Sequence, residues 1–231
     1  RNIWFKKDGG IIKNPLRQLN GDLDNIPFPD KSLFENYIDM KAKYMVMASR
    51  GCPFSCSYCS ISTLRELYKD KGQFVRFRSA GKVVDEIVSA RSKYDFKSVD
   101  FHDDVFTINL SKMDALLKEY VKEVALPFTC LSHPLYMDTT KARLLKESGC
   151  CMVQFGIQST NEVSRNTVLC RPEKNSDIEK ALDSCKAAEL PFQVDHIFGI
   201  PGEAEKELVE AARFYLKHKH QKIGCFWLSY F

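Results

Sequence analysis

The sequence predicts an α/β fold, a parallel sheet with helices on the outside. Strand-like apolar runs recur at residues 44–49, 98–102, 127–131, 151–157, 192–200 and 223–231. Helical apolar periodicity fills most of the gaps between them. Strands that alternate with helices pair in parallel, because each parallel connection needs a long crossover. No repeat of fixed period is present. A doubly wound sheet and a barrel both satisfy this pattern, and in either one ligands gather at the carboxyl ends of the strands.

Residues 1–40 are rich in Asn, Asp, Gly and Pro (Asp8-Gly9-Gly10, Asn14-Pro15, Pro27-Phe28-Pro29-Asp30) and read as a lead-in or interdomain linker with little regular structure. The core is expected over residues 41–231. Its first strand, 44–49, runs straight into a cysteine-rich loop. Ser79 then caps a helix bearing Val83, Val84, Ile87 and Val88. After strand 98–102, Ser111 opens a helix with Met113, Leu116, Leu117, Tyr120 and Val124. After strand 127–131, Asp138 opens a helix with Leu144 and Leu145 that stops at Gly149. Behind strand 151–157, Ile178, Ala181, Leu182 and Cys185 fall at i, i+3, i+4, i+7, with Ser176 and Glu179 as a capping box. Strand 192–200 leads through Pro201-Gly202-Glu203 to a helix bearing Leu208, Ala212 and Tyr215. A sequence without an initiator Met that stops inside the apolar run Ile223–Phe231 is expected to be a segment of a longer protein.

With 44% hydrophobic residues and 28% charged, the 231-residue chain is ordinary for a globular protein and too apolar for disorder. No run approaches 18 apolar residues, so no membrane span is expected. A net charge of +4 without a basic stripe does not point to nucleic acid; Lys217 to Lys222 reads as a helix-terminal cationic cluster. Nine cysteines, an odd number, with no signal-peptide pattern, exclude a secreted disulfide scaffold and point to the cytoplasm. His102, His133, His196, His218 and His220 are given no catalytic role.

Three of the nine cysteines stand together in Gly51-Cys52-Pro53-Phe54-Ser55-Cys56-Ser57-Tyr58-Cys59. Thiolates at Cys-x3-Cys-x2-Cys spacing can converge on one soft metal centre when the chain loops around it. Buried structural cysteines and a structural zinc are the alternatives. Zinc prefers four protein ligands in two pairs, and no second pair of suitable spacing exists in the chain. Three ligands on a four-iron cluster leave one iron open, which suits chemistry.

Other polar groups fall at predicted strand ends. Asp103 and Asp104 could accept from an ammonium group or a metal, or simply cap a helix in a solvated loop. Gln158 and Ser159 end the fourth strand, and Arg171 follows on a loop, where a guanidinium suits a carboxylate or plain solvent. Ile197, in Asp195-His196-Ile197-Phe198-Gly199-Ile200-Pro201-Gly202-Glu203, lies beside glycines that permit close backbone approach.

The cysteine triplet, with an aromatic residue just before its last member, resembles the signature of the radical S-adenosylmethionine superfamily, and the resemblance covers residues 20 to 231. It implies that Cys52, Cys56 and Cys59 hold a [4Fe–4S] cluster, that S-adenosylmethionine chelates the open iron, and that Tyr58 lies on the adenine side. Asp-Asp-x-Phe at Asp103 and Asp104 is similar to the motif of the cobalamin-dependent subgroup, where it addresses the methionyl amino group. Gly156-Ile157-Gln158-Ser159 is similar to a Gly-Ile-Glu-Ser pattern whose acidic residue addresses bound S-adenosylmethionine; here Gln158 brings no charge. Arg171 resembles the arginine that pairs with the methionyl carboxylate, and Ile197 the residue that packs on adenine. Asp24-Asn25-Ile26-Pro27-Phe28-Pro29-Asp30 is similar to the linker that follows a cobalamin-binding domain, so cobalamin is implied for the full-length protein. The fold implied is a partial (β/α)6 barrel.

The activity implied is reductive cleavage of S-adenosylmethionine to a 5′-deoxyadenosyl radical that takes hydrogen from a substrate, with methyl transfer from cobalamin in the full-length protein. A one-electron reductant such as flavodoxin or ferredoxin is the implied partner. Radical rearrangement, cyclisation or methylthiolation without cobalamin, and a non-catalytic iron–sulfur protein, are the other readings.

Overall fold

The computed structural model describes residues 2–39 and 41–218. The lead-in opens with a hairpin, β1 (Trp4–Lys7) and β2 (Gly10–Lys13), where little regular structure was expected. Asp8 and Gly9 at its turn both have positive φ, 50° and 81°, as a tight hairpin turn of this twist requires. The two strands escape a sequence reading because all eight of their residues are exposed, so no alternation marks them.

The core then runs β3 (Tyr44–Val46), β4 (Ser49–Arg50), α1 (Ser60–Leu67), β5 (Arg76–Phe77), α2 (Ala80–Arg91), β6 (Val99–Phe101), α3 (Leu110–Glu123), β7 (Phe128–Ser132), α4 (Thr139–Glu147), β8 (Cys150–Gln158), α5 (Glu162–Thr167), α6 (Asn175–Ala187), β9 (Phe192–His196) and α7 (Glu205–Lys217). The main sheet has the order β3-β6-β7-β8-β9, every pair parallel. Each new strand adds on the same side as the last. A doubly wound sheet reverses direction at its switch point, and this one does not. Right-handed crossovers in a sheet that never reverses put the helices on one face, so the sheet is the wall of a partial barrel. Helices α2, α3, α4 and α6 accordingly pack side by side. The expected strand at 223–231, with His220 and Lys219 to Lys222, lies outside the described residues.

The core fills the space between sheet and helices. Tyr44, Val46, Val99, Phe101, Phe128, Cys130, Val153 and Phe155 alternate along their strands toward that side. Phe101 and Phe128 are fully buried and meet edge to face at 5.3 Å, each ring stabilising the fold by about 2–3 kcal/mol. The intervening side chains, Met45 and the polar Asp100, Thr129 and Gln154, face the other way. Thr129 Oγ1 donates to Asp100 at 2.6 Å and Gln154 Nε2 to Asp195 at 2.7 Å.

Helix starts follow capping chemistry, with corrections. Ser79 accepts from the Lys82 amide at 3.2 Å and Asp138 from the Lys141 amide at 2.9 Å, as expected. Asn109, in an extended conformation, caps α3 instead of Ser111. At α6 the Asp177 carboxylate reaches back to the Lys174 amide at 2.9 Å, and Ser176 already lies within the helix. Glu179, expected in that cap, instead pairs with Lys217 at 2.8 Å. Ala211 and Tyr215 form the buried face of α7, while Leu208 and Ala212 are not buried. Strand β9 stops at His196, short of residue 200.

Candidate cofactor site

The cysteine loop leaves β4 at Gly51, beyond the end of β3. Gly51 has φ +93°, and a Cβ there would lie 2.5 Å from the Phe74 carbonyl oxygen on the facing segment. Only glycine fits such an approach in the left-handed region. Gly51→Ala is expected to lower the melting temperature by roughly 5 °C and to reduce iron bound after reconstitution, since about 1–3 kcal/mol of strain enters at the base of the loop. An unchanged melting curve and iron content would contradict this.

The loop is tied to several elements. Ser57 donates its amide to Leu169 O at 3.1 Å and its hydroxyl to Val168 O at 2.6 Å. Ser62, in the first turn of α1, bonds through Oγ to the carbonyls of Cys56 and Cys59. Arg65 donates to Pro53 O. Phe54 stacks on His133, which follows β7, at 3.9 Å between ring centroids.

Cys52 lies close enough to the other two thiols to feel both of them. Burial pushes the Cys52 thiol up to about 11, and repulsion from Asp104, Cys56 and Cys59 adds to the rise. Burial also raises Cys56, although the Arg171 guanidinium pulls it back. Among the described residues no three His, Cys, Asp or Glu side chains converge on a single-ion site. Cysteines on a polynuclear cluster each bind a different iron and stand wider apart than ligands of one ion. Three thiols on one short loop with a cation beside one of them fit an anionic iron–sulfur cluster, whose iron would reverse the penalty that burial places on thiolates.

That cation is the centre of the site. Arg171 is 5% exposed. Its Nε donates to Glu173 at 2.6 Å, its Nη2 to Gly156 O at 2.6 Å, and its Nη1 to the Tyr58 hydroxyl at 3.0 Å, with Cys56 Sγ at 3.8 Å. Burial works against its charge, but Tyr58, Glu173 and Cys56 outweigh it and raise its pKa. Arg171 is thus already engaged by internal acceptors, the cysteine loop among them.

The two adjacent aspartates have different surroundings. Asp103 is buried and accepts from the Ser49 amide and hydroxyl, each at 2.5 Å, and from the Ala48 amide at 3.1 Å. Burial pushes it up to about 6 despite those donors. It fastens the end of β3 to the end of β6. Asp104 is half-buried, accepts from the Gly51 amide at 3.2 Å, and lies beside Cys52.

Gln158 ends β8 at a bulge, with φ +69°. A Cβ on Gly156 would meet Gln158 Nε2 at 2.6 Å, so the absent side chain at 156 is what lets this amide fold back toward Arg171. Ser159 is buried and donates to Glu203 at 2.5 Å. Ile197 packs with Leu169, Ile200 and Tyr58, so the two positions expected to flank adenine share one small apolar cluster.

Sequence reasoning missed Glu173 and His133. Glu173 joins the Arg171 pair and faces His133 Nε2 at 3.4 Å. His133 Nδ1 accepts from the Leu135 amide, which leaves the proton on Nε2, toward Glu173. Burial opposes the Glu173 charge, yet the His133 contact and the Arg171 cation hold it down to about 2. Fully buried Arg165 donates to the Ser159 and Glu173 carbonyls and braces the same loop. The available signal was an acidic residue two positions after Arg171.

A partial parallel barrel with a three-cysteine loop beyond its first strand defines a class of cofactor-binding α/β proteins. The Radical SAM superfamily profile matches residues 46–215, and the chain belongs to that superfamily. It is 29% identical over 219 residues to an uncharacterized methyltransferase, PH0819, of Pyrococcus horikoshii, covering 92% of this chain and 46% of that protein. In fold it is similar to the radical S-adenosylmethionine methyltransferase TsrM from Kitasatospora setae, solved with cobalamin and a [4Fe–4S] cluster (TM-score 0.65, 20% identity, 80% of this chain and 36% of that one). It is also similar to the cobalamin-dependent radical enzyme OxsB, solved with S-adenosylmethionine (TM-score 0.70, 15% identity, 90% and 31%). The chain therefore spans less than half the length of each of these three proteins. No helix among the described residues is long and apolar enough to cross a membrane.

Proposed function

We propose that this chain is the core of a radical S-adenosylmethionine methyltransferase, with Cys52, Cys56 and Cys59 as cluster ligands. The observation that carries the reading is the three-cysteine loop with the Arg171 guanidinium against Cys56 and Tyr58, in a chain of this superfamily. When bound, the cluster would supply the electron that splits S-adenosylmethionine into methionine and a 5′-deoxyadenosyl radical, which takes hydrogen from the substrate. The chain's own residues position and shield. Tyr58 and Ile197 offer an apolar pad for adenine beside the loop. Asp104 is the aspartate placed to receive an ammonium group, while Asp103 holds backbone. Gln158 and Ser159 line the opposite strand end, and Arg171 would exchange internal partners for a carboxylate. Residues 41–231 are taken as the core and 1–40 as its lead-in.

Cobalamin as methyl donor, bound by a further domain of the full-length protein, is supported by the company of similar proteins. An acidic one-electron carrier such as flavodoxin or ferredoxin would reduce the cluster. The reducing cytoplasm suits the eight described cysteines, none of which is paired. A second reading, methylthiolation, is favoured by 25% identity over 198 residues to a ribosomal protein uS12 methylthiotransferase of Desulfotalea psychrophila.

The test is anaerobic reconstitution with iron and sulfide, then dithionite and S-adenosylmethionine. Formation of 5′-deoxyadenosine is the expected result. An intact cluster that yields none would overturn the radical reading.

A further inference from the structure

A cavity of about 240 Å³ lies between the lead-in and the edge strand β3, away from the cysteine thiols. Leu23, Ile26, Pro27 and Pro29 form one wall, and Met45 and Met47 the other. At roughly 30 Å³ per water it has room for about eight waters, the size of one ring bearing a small substituent.

Its polar lining carries excess positive charge. Lys31 and Arg78 share a single carboxylate, Glu86, at 3.4 and 2.7 Å, and the Tyr44 hydroxyl donates to it as well at 3.2 Å. Within the lining one carboxylate faces two cations, with Asp24 of the lead-in acting on Arg78 from outside it. Arg50 adds another cation, and among the described residues no carboxylate stands within ion-pair distance of it. His102, paired with Asp100 at 3.5 Å, completes the lining, so the unbalanced charge is that of Arg50. The residue directly opposite Arg50 in the β4–β5 ladder is Arg76, with Arg17 close enough to add to the repulsion. Like charges face to face on antiparallel strands destabilise the pair. An anion between them removes that penalty, and apolar walls beside an unpaired guanidinium suit an organic anion better than a free inorganic one.

We propose that this cavity binds an organic anion, its apolar body between the lead-in and β3 and its carboxylate or phosphate oxygens on Arg50. Arg50 is two residues before Cys52, and Met47 and His102 directly follow β3 and β6, so the site adjoins the cofactor loop. Its use as the substrate pocket rests on the radical reading; the recognition of the anion does not.

Calorimetric titration of the full chain with phenyl phosphate, benzoate, benzyl alcohol and inorganic phosphate tests it. Phenyl phosphate or benzoate should bind at least roughly ten-fold tighter than benzyl alcohol, and phenyl phosphate correspondingly tighter than inorganic phosphate. Which of the two aromatic anions binds better identifies the group that Arg50 reads. Arg50→Gln should weaken that binding about ten-fold or more, with Arg50→Lys recovering part of it. Benzyl alcohol binding as tightly as the anions, or an unchanged affinity in Arg50→Gln with native melting, would overturn the proposal. Arg50-dependent binding in a preparation whose intact cluster forms no 5′-deoxyadenosine would sink the radical reading and leave this site standing.

Discussion

Cys56→Ala is expected to fold like the parent and to lose its iron–sulfur cluster. Cys56 is the most buried of the three thiols and the one beside the Arg171 guanidinium. Removing one small buried sulfur costs the fold only about 1 kcal/mol. Losing one of three ligands costs the cluster far more, because changes to mere supporting residues already lower metal affinity by roughly 10–100-fold. Iron and sulfide content after reconstitution should fall at least about ten-fold, with 5′-deoxyadenosine formation gone. Cys151→Ala and Cys170→Ala remove exposed thiols outside the loop and should retain the cluster. A Cys56→Ala protein with full cluster absorption would sink the ligand assignment.

Glu173→Ala is expected to cost the most stability of any single change at the site. It strands the Arg171 guanidinium in the interior and leaves His133 without its partner. Breaking a buried pair from one side typically costs about 3–5 kcal/mol, or roughly 10 °C in melting temperature for a chain of this size. The pH dependence follows from the same pair. The native pKa of Glu173, about 2, lies below its ordinary value of 4.5, so the native state favours the carboxylate. Its contribution, about 3 kcal/mol, is present above pH 4.5 and is lost as pH falls toward 2. Glu173→Gln keeps the shape and should flatten stability in that window. A Glu173→Ala variant melting within 2 °C (about 0.5–1 kcal/mol) of the parent would refute the structural role of this pair.

The sheet was legible in the sequence because its strands are short apolar runs that need only their own composition to be seen. The closure was not, since strand order is set by how crossovers stack, which no local pattern records. Cap errors at Asn109 and Asp177 arose because several polar residues crowd each helix start, and φ and ψ decide among them. The cysteine loop was legible through its spacing. Its support was not: His133 and Glu173 are 40 residues apart, and Phe54 lies a further 79 residues before His133. Only folding brings those three side chains and Arg171 together.

The attachments of the cysteine loop bear on how the protein comes apart. Asp103 and Asp104 clamp its approach to the end of β6, His133 grips it from β7, and Ser57 and Arg171 bind it to the segment after α5. A surface loop ordinarily opens many times for each global unfolding event. This one cannot lift without breaking bonds to three separate crossovers of the sheet. Its opening free energy is therefore close to that of the whole domain, and the thiols belong to the same cooperative unit as the core.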